Sequence, residues 1–330
     1  MSAVTVSHDA RVSELRGRPF HQKLVYALKL ASWPKLFAPM LLGQSIGIAD
    51  AGKASLPGFL AGFAFTTLDV IYIVLLNDWG DRGVDAIKRR RFPSGCSPKT
   101  IPDGILPAHT VLLVGIVSAV VALGLAAFVG PRMERPHFLP LAMASLLLFA
   151  VYTFKPLALN YRGGGEFLEM LGVGLLLPLL NAYLQSGVLL PVAELRTFAP
   201  LVPALALLAL SSAIASGISD EESDREGGKR TFATAFRNAR TRSFVEQTYV
   251  GGAILLAIVP SVVTKHFLLW PIPAALLLAV CFPAIRRSSP SAVTNAFVAQ
   301  NHFKEKLHIG LWAGQLVLGA SLVVKTLARM

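Results

Sequence analysis

Long apolar stretches alternate with short polar ones along the whole chain, and this alternation constrains the fold more than any other feature. A bilayer core takes about 20 consecutive apolar residues of α-helix. By that measure there are nine candidate spans, near residues 24–48, 57–77, 108–130, 138–155, 166–187, 197–219, 246–264, 267–285 and 307–324. The expected fold class is all-α: a polytopic membrane protein with nine transmembrane helices in a bundle. Residues 24–330 leave no segment long enough for a second domain outside the membrane, so they are expected to form a single domain. Residues 1–23 are expected to be a cytoplasmic N-terminal tail.

Composition agrees. Charged residues make up 15% of the chain, against about 25% in soluble domains. Met1 to His21 are polar and mixed in charge, with no apolar core of a cleaved signal before the first span. This stretch reads as a soluble, mobile lead-in. Prolines punctuate many span boundaries, among them Pro57, Pro107, Pro136 and Pro191, and the spans are rich in small residues that suit close packing in lipid. Cys96 and Cys281 lie far apart and have no metal-binding spacing.

The formal net charge of +12 fits membrane topology and lipid headgroups better than nucleic acid, because no basic domain is present to carry a nucleic-acid site. With the N-terminus in the cytoplasm, inside segments hold 22 Lys and Arg residues and outside segments hold seven. The positive-inside rule supports that orientation. It also puts the two most charged loops, after spans two and six, on the same cytoplasmic side, so the bundle carries aspartate-rich caps there.

The first of these loops runs Asn77-Asp78-Trp79-Gly80-Asp81-Arg82-Gly83-Val84-Asp85. Asn77, Asp81 and Asp85 are spaced four apart, which sets them on one helical face with a drift of about 80°. The second runs from Ser219 to Thr231, with Asp220 and Asp224 again four apart. Gly227 and Gly228 are expected to end that helix, with Lys229 and Arg230 on the turn beyond. Carboxylates gathered on a shared face repel unless cations lie between them. Magnesium takes one or two carboxylates plus substrate phosphate oxygens, and nearby Lys and Arg neutralise remaining phosphate charge. Two such sets across one cavity suit a magnesium–diphosphate site.

These motifs resemble the UbiA superfamily of intramembrane prenyltransferases: N-x-x-x-D-x-x-x-D followed by D-x-x-x-D-x-x-x-G-K-R-T, on a nine-span layout. The resemblance implies that Asn77, Asp81, Asp85, Asp220 and Asp224 hold Mg2+ and the diphosphate, with Lys88, Arg91, Lys229 and Arg230 helping to bind phosphate. Arg91-Phe92-Pro93-Ser94-Gly95 is similar to a basic R-P-x-x-S-G stretch of the family, with an inserted Phe. Tyr152-Thr153-Phe154-Lys155-Pro156-Leu157 resembles its Tyr-Ser-x-x-Pro-Leu segment, which implies that Tyr152 shields a cation or holds diphosphate and that Lys155 positions it. Tyr161 to Glu166, with Gln185-Ser186-Gly187, resembles the 1,4-dihydroxy-2-naphthoate branch. The implied reaction is transfer of a prenyl chain from an allylic prenyl diphosphate to an aromatic acceptor, in a multi-pass protein of the bacterial inner membrane. Other acceptors of this family are 4-hydroxybenzoate, homogentisate, a chlorin or a glycerol phosphate. Two departures bear on the acceptor: Trp33 stands where relatives carry Arg before Pro34, and Ser216 where they often carry Asn.

Asp69 lies inside span two, eight residues before Asn77. An intramembrane carboxylate is costly to insert and is a functional suspect, as part of a polar cavity wall; the alternatives are a structural hydrogen bond to a neighbouring helix and a protonated acid. Glu166 is placed to cap its helix start, and Glu169 either touches acceptor or packs. His302 and His308 are expected at the surface. Trp33, Trp270 and Trp312 read as interface anchors or packing. A secondary transporter is the rival from another class, since it too uses many spans. Transporters, however, place binding groups at the bilayer midplane on broken helices, whereas here the acids collect at cytoplasmic helix ends.

Overall fold

A computed structural model of the chain describes residues 8–93, 96–189 and 196–328. Ser94, Gly95 and Pro191, named above, lie outside the described residues. The described chain is helical throughout, with one isolated bridge between Arg162 and Arg230. A helix pairs all its interior backbone groups within its own segment, which lipid demands because it offers no hydrogen bonds.

Among the described residues, seven helices are long and apolar enough to cross a membrane: Leu56–Gly80, Ala108–Arg132, Gly165–Ser186, Ala199–Ile218, Asn238–Thr264, Ile272–Ser291 and Phe297–Leu327. Two more expected spans fall on Pro34–Ala51 and Phe138–Thr153, which are shorter or less apolar. Large apolar side chains such as Leu113, Val120, Phe128, Val262 and Val280 face outward, where a bilayer would cover them.

Several features depart from expectation. The first span does not run from residue 24. The chain leaves the helix Phe20–Ala27, passes through Lys29 at φ 48°, makes a short 3-10 turn over Leu30–Ser32 and restarts at Pro34. Pro34 has no N–H to extend a preceding helix, and proline is at ease in a first turn. The N-terminal stretch is not a free lead-in either: His8–Arg16 and Phe20–Ala27 are helices. Val12 and Ala27 bury with Leu75, Ile105, Leu106 and Val111 in a satellite core. Lastly, Gly165–Ser186 widens into π-helical turns over Met170–Leu176, a feature common where a helix borders a functional site.

Two large apolar clusters make the bundle. One joins Leu36, Phe65, Tyr72, Phe138 and Leu180; the other joins Leu208, Ile214, Tyr249, Leu278, Phe303 and Leu311. Helix Pro34–Ala51 couples them through Gly43 and Gly47. A Cβ on Gly43 would stand 2.3 Å from Pro178 O, and one on Gly47 2.3 Å from Ala182 O. This is the close backbone approach that small residues four apart allow in membranes. Beside it, Gln44 Nε2 donates to Asn181 Oδ1 at 2.8 Å and Gln185 Nε2 donates to Gln44 Oε1 at 2.5 Å, so buried amides pair with one another.

Candidate active site

The first acidic segment is helical almost without a break. The Asp81 amide donates to Asn77 O at 2.8 Å and the Asp85 amide to Asp81 O at 2.7 Å, so helical bonding passes through the junction between Leu56–Gly80 and Arg82–Arg91. Asn77, Asp81 and Asp85 therefore face the same way. The second segment repeats the device: the Asp224 amide donates to Asp220 O at 2.9 Å, and the Lys229 amide to Asp224 O at 2.8 Å. Helix Glu221–Glu226 ends at the glycine pair as expected, with Gly228 at φ 72°. A Cβ on Gly227 would meet Val84 Cγ2 at 2.6 Å, so this glycine lets the two acidic segments touch.

Both segments open onto one cavity of about 910 Å³ at the junction of the two apolar clusters. Asn77, Asp81, Asp85, Lys88, Tyr152, Asp220, Asp224 and Lys229 all line it. The expected residues Arg91, Lys155 and Arg230 do not. Arg91 pairs with Glu226 at 2.8 Å on the surface. Lys155 is exposed, and Arg230 is exposed with its backbone N–H on Tyr161 O at 3.1 Å. Arg91 is turned off the cavity at the end of helix Arg82–Arg91, while Lys155 lies on a turn and Arg230 at the bridge to Arg162.

Lysines lie between the carboxylates. Lys229 Nζ is 2.8 Å from Asp81 Oδ2, while Lys88 reaches Asp220 and donates to Ser219 O at 2.8 Å. Lys99 pairs with Asp85. Asn160 Nδ2 donates to the other oxygen of Asp81 at 3.2 Å. Burial opposes charge on Asp220, but Lys88, Lys99 and Lys304 override it and hold its pKa below the ordinary carboxylate value. Asp224 goes the other way: burial, then the negative charges of Asp220 and Asp81, push it up to about 8 despite Lys229. Burial opposes charge on Lys229 and Lys99 too, but the neighbouring carboxylates hold both ammonium groups firmly protonated.

Among the described residues no three acidic, His or Cys side chains converge tightly enough to hold a metal by themselves. That is consistent with magnesium, which needs only one or two carboxylates when substrate phosphates supply the rest. The donor set fits: it is all hard oxygen, and Asn160 Oδ1 is buried beside Asp81 with no hydrogen-bond partner. The lysines balance the acids without a metal.

The apolar end of the cavity is walled by Leu36, Ile73, Leu148, Val173 and Ile309. Tyr152 lines it too and stacks on Phe149 at 5.0 Å. Sequence reasoning missed several polar members. Lys35 pairs with Glu169 at 2.7 Å and donates to Ser216 Oγ at 3.2 Å. Lys304 donates to Ser219 Oγ at 3.1 Å. His308, expected at the surface, is buried in the wall with Nε2 at 3.1 Å from Ser212 Oγ and its ring stacked on Trp312; helix Phe297–Leu327 starts ten residues before the expected span, so His308 lies well inside the helix rather than at its end. His302 is exposed as expected. Glu166 lies in the first turn of its helix, as expected, and its Oε1 also accepts the Phe232 amide at 2.7 Å. Trp33 packs, one of the two roles expected of it: its ring stacks on Phe37 and its Nε1–H donates to Leu28 O.

A model of the UbiA prenyltransferase family matches residues 36–303. No curated protein matches the sequence. Among solved structures, a UbiA homologue from Archaeoglobus fulgidus bound to DMAPP and Mg2+ superposes with TM-score 0.67 at 17% identity, over 92% of this chain and 99% of that one. The same homologue bound to GPP and Mg2+ gives TM-score 0.64 at 17% identity, with the same coverage. The apo UbiA homologue from Aeropyrum pernix K1 gives 0.62 at 14% identity, over 88% and 98%.

Proposed function

From the premise that the chain belongs to the UbiA prenyltransferase family, we propose that it transfers the prenyl chain of an allylic prenyl diphosphate to an aromatic acceptor with the help of magnesium. It is a multi-pass integral membrane protein and a prenyltransferase. One observation carries the reading of the site: two helix ends interleave four aspartates with three lysines around the polar end of a cavity whose other end is apolar. A diphosphate fits the first end and an isoprenoid the second. The relatives bound to DMAPP or GPP with Mg2+ support this donor class.

Asn77, Asp81, Asp85, Asp220 and Asp224 would hold magnesium. When bound, the metal supplies Lewis-acid stabilisation of the departing diphosphate. Lys88, Lys99 and Lys229 exchange their carboxylate partners for phosphate oxygens, giving charge-assisted bonds to the leaving group. The C1–O bond of the donor breaks and its electron pair leaves with the diphosphate. Ring electrons of the acceptor then form the new bond to C1, and the ring carbon gives up its proton. Tyr152 and Phe149 offer their ring faces to positive charge at C1. The apolar wall keeps water from capturing that carbon.

The acceptor in this reading is 1,4-dihydroxy-2-naphthoate, supported by the segment from Tyr161 to Glu166, whose Gly165 and Glu166 line the cavity. The site is proposed to face the cytoplasm of a bacterial inner membrane, on the charge bias of the loops. Membranes containing the protein, incubated with Mg2+, labelled geranyl diphosphate and a panel of aromatic acceptors, should yield a labelled prenylated lipid and free diphosphate. Donor-independent solute flux in liposomes with no prenylated product would favour the transporter and end this reading.

A further inference from the structure

The cavity has a polar floor that the diphosphate chemistry does not use. Asp69 on Leu56–Gly80 and Ser145 on Phe138–Thr153 both line it. Both are more than nine-tenths buried, at 3% and 8% exposure. Asp69 Oδ1 and Ser145 Oγ each lack a hydrogen-bond partner among the described residues. A buried polar atom left unpaired costs about 1–3 kcal/mol. Two of them in one cavity wall make a recognition surface for a polar ligand group.

The depth of this floor argues for its occupant. Asp69, Ile73 and Asn77 form one cavity-lining stripe, and Ser145, Phe149 and Tyr152 form another on the facing helix. Tyr72 OH donates to Leu146 O at 3.1 Å, so the two helices meet at this level. Eight residues of helical rise set Asp69 about 12 Å below Asn77. A prenyl chain is apolar throughout and gains nothing from a carboxyl and a hydroxyl. An acceptor ring does.

We propose that Asp69 and Ser145 bind a hydroxyl on the side of the acceptor ring remote from the prenylated carbon, and so select hydroxylated acceptors. The inference rests on the prenyl-transfer reading. The carboxyl of Asp69 accepts from that hydroxyl, and Ser145 completes the pair. A site built to hydrogen-bond a hydroxyl discriminates strongly against a ring that lacks the donor.

The test uses purified full-length protein with geranyl diphosphate and Mg2+. The probes are 1,4-dihydroxy-2-naphthoate and homogentisate, each beside the analogue in which the hydroxyl remote from the prenylated carbon is methylated. Wild-type enzyme should prefer the free hydroxyl of its substrate by at least tenfold in kcat/KM. Asp69→Leu and Ser145→Ala should raise KM for that acceptor at least tenfold and flatten the preference, with KM for geranyl diphosphate unchanged. Asp69→Asn, which keeps an accepting oxygen, should recover part of the preference. If Asp69→Leu fails to insert, Ser145→Ala carries the test. Unchanged acceptor KM and unchanged preference in a well-folded variant would overturn the inference while leaving prenyl transfer intact. A wild-type protein that prenylates none of the probes would overturn the aromatic-acceptor reading itself, and the inference with it.

Discussion

Lys229 Nζ stands 2.8 Å from Asp81 Oδ2, joining two segments 148 residues apart in the chain. The contact ties the end of Leu56–Gly80 to the turn after Glu221–Glu226, so the two acidic motifs act as one site. Removing Asp81 deletes a donor for the metal and leaves Lys229 without its closest counter-charge. Asp81→Ala and Asp220→Ala should each lower kcat by at least about 100-fold, the scale on which one preorganised electrostatic group acts. Membrane insertion should be retained, while detergent-extracted melting should fall, because Lys229 or Lys88 is left buried without its paired carboxylate. Near-normal turnover of purified Asp81→Ala would remove the proposed metal role.

Asp224 predicts how magnesium binding depends on pH. Burial, aided by the charges of Asp220 and Asp81, raises its pKa to about 8. At neutral pH the metal-free site therefore tends to hold a proton where a cation must bind. Metal and proton compete for the carboxylate. Apparent Mg2+ affinity should rise with pH from about 6 to about 8, by at most about tenfold per unit for one displaced proton, and level off above. Asp224→Asn should weaken binding and flatten the slope. A flat profile in the wild-type protein, measured by Mg2+ titration of diphosphate release at fixed donor, would contradict the assignment.

Much of this was legible in the sequence, for a physical reason: helical spacing is local. Asn77, Asp81 and Asp85 had to share a face once the segment was helical, and Gly227-Gly228 had to end the next one. Apolar runs gave the membrane helices within a few residues wherever the helix stops at the bilayer edge. They misplaced the start of Phe297–Leu327, because polar residues from Gln300 to Lys306 continue the helix beyond the apolar run. Contacts across the fold carry no such signal. Lys99 pairs with Asp85, and nothing in its loop sequence points there. Lys35, Lys304 and His308 sit on helices remote in sequence from both motifs, and only packing brings them to the cavity. Arg91, Lys155 and Arg230 show the converse error: nearness in sequence to a motif does not set direction in space.

Packing in lipid gives the next expectation. Gly47 lies where a Cβ would stand 2.3 Å from Ala182 O and 2.5 Å from Gln185 Cβ. Backbone cannot yield as a flexible side chain can. Gly47→Leu should force helix Pro34–Ala51 away from Gly165–Ser186 and break the Gln44–Asn181–Gln185 amide chain, at the cost of at least the about 1–3 kcal/mol typical of overpacking. Thermal unfolding in detergent should fall clearly. Gly124→Ala, inside helix Ala108–Arg132 with nothing within 4 Å of an added Cβ, should leave melting unchanged or slightly raised.

Asp103 supports the site from outside. Its two carboxylate oxygens each take a hydrogen bond from Arg89 at 2.7 Å, and Tyr26 OH donates to one of them at 2.7 Å. Burial opposes its charge, but these partners hold its pKa below the ordinary value. The stabilisation is therefore present above the ordinary carboxylate range and is lost as pH falls through the depressed pKa. Asp103 thus clamps the N-terminal helices and Arg82–Arg91 to the loop that carries Lys99. Asp103→Ala leaves a largely buried guanidinium without its carboxylate, a loss of about 3 kcal/mol or more. The expected result is a lower melting temperature and faster protease cleavage between residues 92 and 98. KM for prenyl diphosphate should also rise, because Lys99 and Lys88 lose their support. Asp103→Asn should keep some of the hydrogen bonds and fall between. A variant with normal melting and normal donor KM would show that the clamp does not brace the site.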